Sequence, residues 1–369
     1  MSEDSIPYGI PIPGVRILIP SGAGAPGFAG IVRCLRKLPD VYIAAGDSRE
    51  YVYGSQLADA FEVVPSSQDE QIYVEKVVAM CKEHKIQVVL PITTRELGLL
   101  SKHKKNIEDS ADCKVVVSEL EGLTVANNKG LLYEFAWNHG FRVPGFAVIS
   151  GRESFVLEAH GLGISHRMLC FKPVLGNGSR GFGRVIPDAG ESGDWMEEKA
   201  GVLPMTLEEW RVRIPESLGE GQELLLSVYL TGAEYSVDML CDRGKVIFCI
   251  PRSRDKMIGG ISVAGTFVKN ESLIAECCRL AELLELDGPV GMQWREDESG
   301  ECYLLEINPR LQGTTSVLEL AGLNLPMAAV KMALGLGNYK GRTGINDGID
   351  FEWGRSFVRY WEECLLLDR

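Results

Sequence analysis

From residue 15 the chain alternates short apolar runs with amphipathic stretches. Residues 15–19 read as a strand, 21–27 as a glycine-rich turn, 28–37 as a helix and 41–45 as a second strand. The alternation continues through a helix at about 70–84, a strand at 88–91, a helix at 96–103 and a strand at 115–117. Strands separated by helices predict a parallel sheet of βαβ units, so residues 15–122 are expected to form a Rossmann-like domain. After a helix at 127–139 the texture changes. Short apolar segments at 146–149, 168–173, 183–186, 223–230, 235–241 and 246–250, divided by glycine and acidic turns, predict a mostly antiparallel α+β region. A helix at 273–284, strands at 290–294 and 302–307 joined by a turn at 297–300, and a helix at 326–334 complete it. The fold class expected is therefore α/β followed by α+β.

Length and composition narrow the function. A chain of 369 residues accommodates two or three domains, and 45% hydrophobic with 24% charged residues is ordinary for a globular protein. No apolar run approaches the roughly 20 residues that cross a bilayer, so no membrane is expected. Lys plus Arg (38) against Asp plus Glu (51) gives a net charge of -13, which repels nucleic acid and anionic lipid. An anionic ligand then needs a local cluster of cations. Ten cysteines without a C-x-x-C pair, mostly inside apolar runs, predict reduced thiols and a cytoplasmic protein. Residues 1–14 have neither the basic nor the apolar region of a secretory signal and are expected to be a flexible tail. The five histidines show no metal-ligand spacing.

Gly22, Gly24 and Gly27 match G-x-G-x-x-G after a strand, with Asp47 closing the next strand. Read alone, this is a dinucleotide fingerprint; the other reading is a tight strand-to-helix turn in a domain with another task, which the rest of the chain favours. Lys172 lies on a strand that leads into Gly176, Gly178, Ser179, Arg180, Gly181 and Gly183 before a returning strand. Such a hairpin can fold its N–H groups over phosphates, and it is not a Walker A loop because no Gly-Lys-Ser/Thr follows. Further on, Glu306 and Asn308 alternate on a strand, with Gln293 on the preceding one. One carboxylate and two amide oxygens suit Mg²⁺ bridging phosphates. Arg310, the next i+2 step, can steady a transferring phosphoryl group.

With these motifs in order over about residues 15–335, the chain resembles the ATP-grasp superfamily, and within it the single-copy relatives of the carbamoyl-phosphate synthase large chain. The segment Leu-Glu306-Ile-Asn308-Pro-Arg310 is the most specific part of the likeness. The resemblance implies a pre-ATP-grasp domain at 15–122, a small lobe with linking helix and glycine lid at 123–228, a large lobe with the metal site at 229–335, and a C-terminal tail at 336–369. It implies Lys129 and Lys172 as phosphate contacts and 178–183 as the lid. A hinge reads adenine through backbone at Val228 and Leu230, and Glu234 takes the ribose hydroxyls. The chain departs from the family in having Val228 where a glutamate is usual and Gln293 where many members have an acidic metal ligand. Arg252, Arg254 and Ser262 fall in a segment that aligns loosely with the substrate-facing loop, a solvated basic loop being the other reading. Glu96, at the carboxyl end of the first sheet, reads equally as a residue that orients an amine and as a helix N-terminal glutamate beside the macrodipole.

The cofactors implied are ATP and one or two Mg²⁺ ions. The reaction implied is an ATP-dependent carboxylate–amine ligation: a substrate carboxylate takes the γ-phosphoryl group, and an amine, that of an amino acid foremost, displaces phosphate. The partners expected are small carboxylate and amine substrates, and a homodimer is the ordinary expectation for a soluble enzyme. Two other readings stay open at this level: a nucleotide sensor without catalysis on the same fold, and an NAD(P)-dependent oxidoreductase using the Gly22 to Gly27 loop.

Overall fold

The computed structural model describes residues 14–176, 181–187, 204–219, 222–337, 339 and 344–365. Its first unit comprises β1 (Arg16–Ile19), α1 (Phe28–Leu35), β2 (Tyr42–Asp47), β3 (Ala60–Val63), α2 (Glu70–Glu83), β4 (Val88–Val89), α3 (Thr94–Lys102), α4 (Lys104–Ala111) and β5 (Lys114–Val115). The five strands form one parallel sheet in the order β3-β2-β1-β4-β5. Ile17 and Ile19 face one core and Leu18, Ala44 and Val89 the other. A sheet buried on both faces needs continuous apolar strands, which is why β1 reads as an unbroken run. Order reverses between β1 and β4, and their carboxyl ends therefore frame the crevice where open sheets bind ligands.

The helix expected at 127–139 is α6 (Lys129–Asn138), and α5 (Leu120–Asn127), which the sequence pattern did not announce, precedes it. The break is at Asn128, whose side chain accepts from the amides of Gly130 and Leu131 at 2.9 and 3.2 Å. That N-cap starts a new helix and sets Lys129 in its first turn. Then come β6 (Phe146–Ile149), α7 (Arg152–Gly161), β7 (Leu169–Pro173), β8 (Gly183–Ile186), β9 (Met205–Thr206), α8 (Leu207–Arg211) and β10 (Leu224–Val228), with sheet order β6-β10-β7-β8-β9.

The third unit holds β11 (Glu234–Asp242), β12 (Lys245–Ser253), β13 (Lys256–Ile258), β14 (Ile261–Thr266), α9 (Glu271–Leu283), β15 (Gly288–Glu296), β16 (Cys302–Asn308), α10 (Leu325–Ala333) and β17 (Ser356–Val358). An antiparallel sheet runs β12-β11-β15-β16, and a smaller one runs β13-β14-β17. The C-terminal segment, expected to be a tail, supplies β17. Phe351 and Phe357 bury their rings against Phe267 at centroid distances of 5.1 and 5.4 Å. Two well-separated aromatics in a glycine-rich stretch leave little periodicity to read, and packing rather than pattern orders them.

Val237, Met239, Met292, Trp294, Leu304 and Ile307 bury the α9 side of the four-stranded sheet. A second core joins α1 (Phe28, Ile31, Leu35) to Leu318, Leu325 and Ala329, so the first unit and the third share apolar packing. Among the described residues no helix is long and apolar enough to cross a membrane, and all ten cysteines are free thiols.

Candidate active site

The site is built on the face of the four-stranded sheet opposite α9. Gln293 on β15 stands opposite Glu306 on β16 and Ser236 on β11. Strand pairing shifts next to this position: Gln293 pairs with Glu306 but Trp294 with Leu304, leaving Leu305 as an extra residue. This bulge reverses the in–out parity of the strand. Leu304 therefore goes to the core with Trp294, whereas Glu306, two residues on, turns to the polar face. The freed Leu305 carbonyl accepts from Lys172 Nζ at 3.0 Å and from the Tyr133 hydroxyl at 3.3 Å.

Around Glu306 the elements converge. Lys129 Nζ, from the first turn of α6, lies 3.8 Å from its carboxylate and donates to the Gly176 carbonyl at 2.7 Å. Asn308 Nδ2 donates to Glu306 Oε1 at 3.0 Å. Burial pushes the Glu306 carboxyl up, but Lys129 and Lys172, with the Asn308 amide and Arg254, outweigh it and hold the group below its ordinary value. Burial pulls Lys129 down, with Glu306 opposing and Lys172 adding to the shift. The donor set of one carboxylate and two side-chain amides fits a hard, oxygen-preferring cation such as Mg²⁺, although Asn308 Oδ1 is also engaged by Arg310.

Arg310 uses its whole fork. Nε donates to Thr94 Oγ1 at 3.0 Å, Nη1 to the Leu311 carbonyl at 2.9 Å and Nη2 to Asn308 Oδ1 at 3.0 Å. Burial lowers its pKa from the ordinary value, against the pull of Glu306 and Glu96. Thr94 opens α3 at the carboxyl end of β4, so the segment after β16 and the first unit meet at this guanidinium. Sequence reasoning misses Thr94 because a threonine before a helix reads as a cap; its place after a central parallel strand is the available signal.

Glu96 is closed off from solvent, being completely buried, and accepts from the Tyr73 hydroxyl at 2.5 Å and from the amides of Thr93 and Ile92 at 3.0 and 3.2 Å. It is the N3 member of a capping box with Thr93, and burial raises its pKa despite these donors. Its role is to fix the turn that presents Thr94. Arg252 is likewise sealed, 1% exposed, with Nε 2.8 Å from Asp238. Ser262 is buried and donates to the Ala264 carbonyl. Arg254 is paired with Glu234 at 2.9 Å and donates to Ser236 Oγ at 3.0 Å and to the Gly260 carbonyl at 2.7 Å; burial lowers its pKa and Glu234 opposes the shift. Glu234 thus enters the site already bound to a guanidinium, with Arg295 3.7 Å from its other oxygen.

In the segment expected to be the hinge, the Val228 amide donates to the Gly145 carbonyl at 2.9 Å and the Tyr229 amide to the Met168 carbonyl at 3.0 Å, while Leu230, two residues beyond β10, is buried. Gly178, Ser179 and Arg180 lie outside the described residues. Gly181 has φ +71°, and a Cβ there would stand 2.8 Å from the Pro173 ring. Gly183 opens β8 beneath the Phe171 ring, which leaves no room for a side chain.

The dinucleotide fingerprint is occupied by packing. The Gly24 amide donates to Asp47 at 2.9 Å, and Asp47 also takes Arg49 at 3.1 Å. A Cβ on Gly27 would come within 2.7 Å of Gly313 Cα. Gly27 thus lets the loop dock on the segment that follows Arg310, whereas a Cβ on Gly22 would meet Thr93 and one on Gly24 would meet Arg49.

Comparison with known proteins bears on the fold that carries these residues. Residues 220–357 match the family described as ATP-grasp in the biosynthetic pathway with Ter operon. Residues 29–116 match the PylC-like N-terminal domain. No curated protein sequence matches. Among solved structures, the ADP complex of purK, N5-carboxyaminoimidazole ribonucleotide synthetase, superposes with a TM-score of 0.64 at 16% identity, over 89% of this chain and 78% of that one. The L-amino acid ligase from Bacillus licheniformis gives 0.62 at 15%, over 90% and 78%. The biotin carboxylase domain of Hydrogenobacter thermophilus 2-oxoglutarate carboxylase, in complex with MgADP, ADP and bicarbonate, gives 0.64 at 16%, over 91% and 72%. At these identities the likeness is one of fold.

Proposed function

We propose, from the premise that the chain carries an ATP-grasp domain behind a PylC-like N-terminal domain, that the protein is an ATP-dependent carboxylate–amine ligase. The observation that carries the reading is the convergence of Lys129, Lys172, Glu306, Asn308 and Arg310 on one polar sheet face. The solved relatives named for carboxylate, amino acid and bicarbonate chemistry support it.

In this reading Lys129 and Lys172 hold nucleotide phosphates, and Glu306, Asn308 and Gln293 would hold Mg²⁺, which when bound neutralises phosphate charge. A substrate carboxylate oxygen bonds to the γ-phosphorus as the bond to ADP breaks, giving an acyl phosphate. An amine then bonds to the acyl carbon, inorganic phosphate leaves and the amine proton is released. Arg310 faces the charge that develops on the transferred group, and because Thr94 and Asn308 already orient it, little reorganisation is needed at that moment. The amine is proposed to be that of an amino acid. Free thiols support a reducing, cytoplasmic setting, and a homodimer is proposed as its assembly.

The test measures ADP and phosphate release over a matrix of acids and amino acids, beside thermal shifts with nucleotides. MgADP should stabilise the parent and NADH should not. Arg310→Ala should lower turnover at least about 100-fold while keeping the MgADP shift. Stabilisation by NADH alone, or an Arg310→Ala variant at the parent rate, would sink the proposal.

A further inference from the structure

Arg252 and Arg254, the cations that the sequence offers for substrate, are both matched to carboxylates inside the protein. Recognition of an anionic substrate must then come from elsewhere, and the segment after Arg310 points to where. Two adjacent threonines there hand their hydroxyls in different directions. Thr315 donates to Asp238, the partner of Arg252. Thr314 donates to the Ser262 carbonyl at 3.2 Å and accepts from Arg359 Nη1 at 3.4 Å. Arg359 follows β17; its amide is tied to the Val263 carbonyl at 2.7 Å, and its Nη2 donates to the Pro26 carbonyl at 3.0 Å, in the turn after β1.

The charge at this junction is unbalanced. Among the described residues no carboxylate lies within ion-pair distance of Arg359, whose pKa is lowered by burial and then by the neighbouring Arg252. Arg252 has one carboxylate, Asp238, and its Nη1 is buried without a hydrogen-bond partner. Asp238 is paired with Arg252 alone, so the repulsion between the two neighbouring guanidiniums favours an anion that joins Arg359. The fork of an arginine suits a carboxylate or phosphate oxygen pair. The place is also apt: it borders the carboxyl end of β1 at the reversal of strand order, a short loop beyond Arg310.

We propose that Arg359, backed by Arg252 and held by Thr314, forms an anion-binding subsite for a second acidic group of the substrate, a carboxylate or phosphate remote from the carboxylate that is activated. The proposal rests on the ligase reading for which molecule arrives, while the subsite itself can be probed without turnover. Thermal-shift titrations of the full chain, with and without MgADP and at ionic strength held constant with chloride, would use succinate and inorganic phosphate as probes. A saturable rise with at least one probe is expected, its half-saturation moving up about tenfold in Arg359→Met. The MgADP shift should be equal in the two proteins. A response to succinate alone identifies a carboxylate, and to phosphate alone a phosphate. Arg359→Lys, which keeps charge but not the fork, and Thr314→Val, which releases the guanidinium, should each weaken the response, and they serve if Arg359→Met does not fold. No response beyond chloride, or an Arg359→Met titration that overlays the parent, would overturn the subsite. Failure of MgADP to stabilise the parent would count against the nucleotide reading alone.

Discussion

Around Glu306, burial and charge pull in opposite directions. Burial favours the neutral acid, whereas Lys129 and Lys172 favour the carboxylate and prevail. A carboxyl whose folded pKa is depressed contributes stability that is present above its unfolded value, about 4.3, and lost as pH falls through the lower folded value. Glu306→Gln should therefore destabilise the protein by about 1–2 kcal/mol near neutral pH. Urea titrations of parent and variant should converge as pH drops below about 4. A gap that does not change with pH would mean that the charge of Glu306 is not what holds Lys129. The same substitution removes the only carboxylate of the proposed metal set, so the Mg²⁺ concentration needed for the nucleotide shift should rise about tenfold or more.

At the scale of elements, β16 and the turn after β1 show what a sequence can and cannot carry. The i, i+2 spacing correctly put Glu306 and Asn308 on one face, because that spacing is a property of any strand. Extended back one step the same spacing would put Leu304 there, which the bulge at Leu305 prevents; a bulge is a choice between two strands, and neither states it alone. The glycines between β1 and α1 were equally visible, but what approaches Gly27 was not, since Gly313 is nearly 300 residues away in the chain. Two glycines separate these meanings. Gly27→Ala places a methyl against Gly313 backbone with ordinary dihedrals, and should cost about 1–3 kcal/mol through overpacking. Gly98, within α3, has open space where a methyl would stand, with no atom within 4 Å, so Gly98→Ala should stabilise by about 0.5–1 kcal/mol. Denaturant midpoints check both. If Gly27→Ala is neutral in stability but loses nucleotide response, the loop is a ligand loop after all.

For the whole molecule, a charge of -13 repels polyanions at long range, and the polar sheet face gathers its cations, Lys129, Lys172 and Arg310, from separate parts of the chain. Alternating strands and helices made the architecture legible, whereas the joints between its units were not, because each joint is a pair of residues far apart in sequence. Thr94 and Arg310 are the joint on which the proposed chemistry bears. The first unit contributes a hydroxyl 3.0 Å from Arg310 Nε, the turn bearing it is pinned by the buried Glu96, and the shared core of α1 and α10 keeps the two units in register. If the first unit positions the arginine, Thr94→Val should lower kcat about tenfold or more, leave the MgADP shift and global stability nearly unchanged, and be repaired by Thr94→Ser, which restores the acceptor. A merely structural threonine would instead lower stability in both variants and leave kcat per folded molecule intact. A Thr94→Val enzyme with a parent kcat would show that Asn308 and the Leu311 carbonyl suffice to hold Arg310, and that the first unit acts on the substrate and not on the arginine.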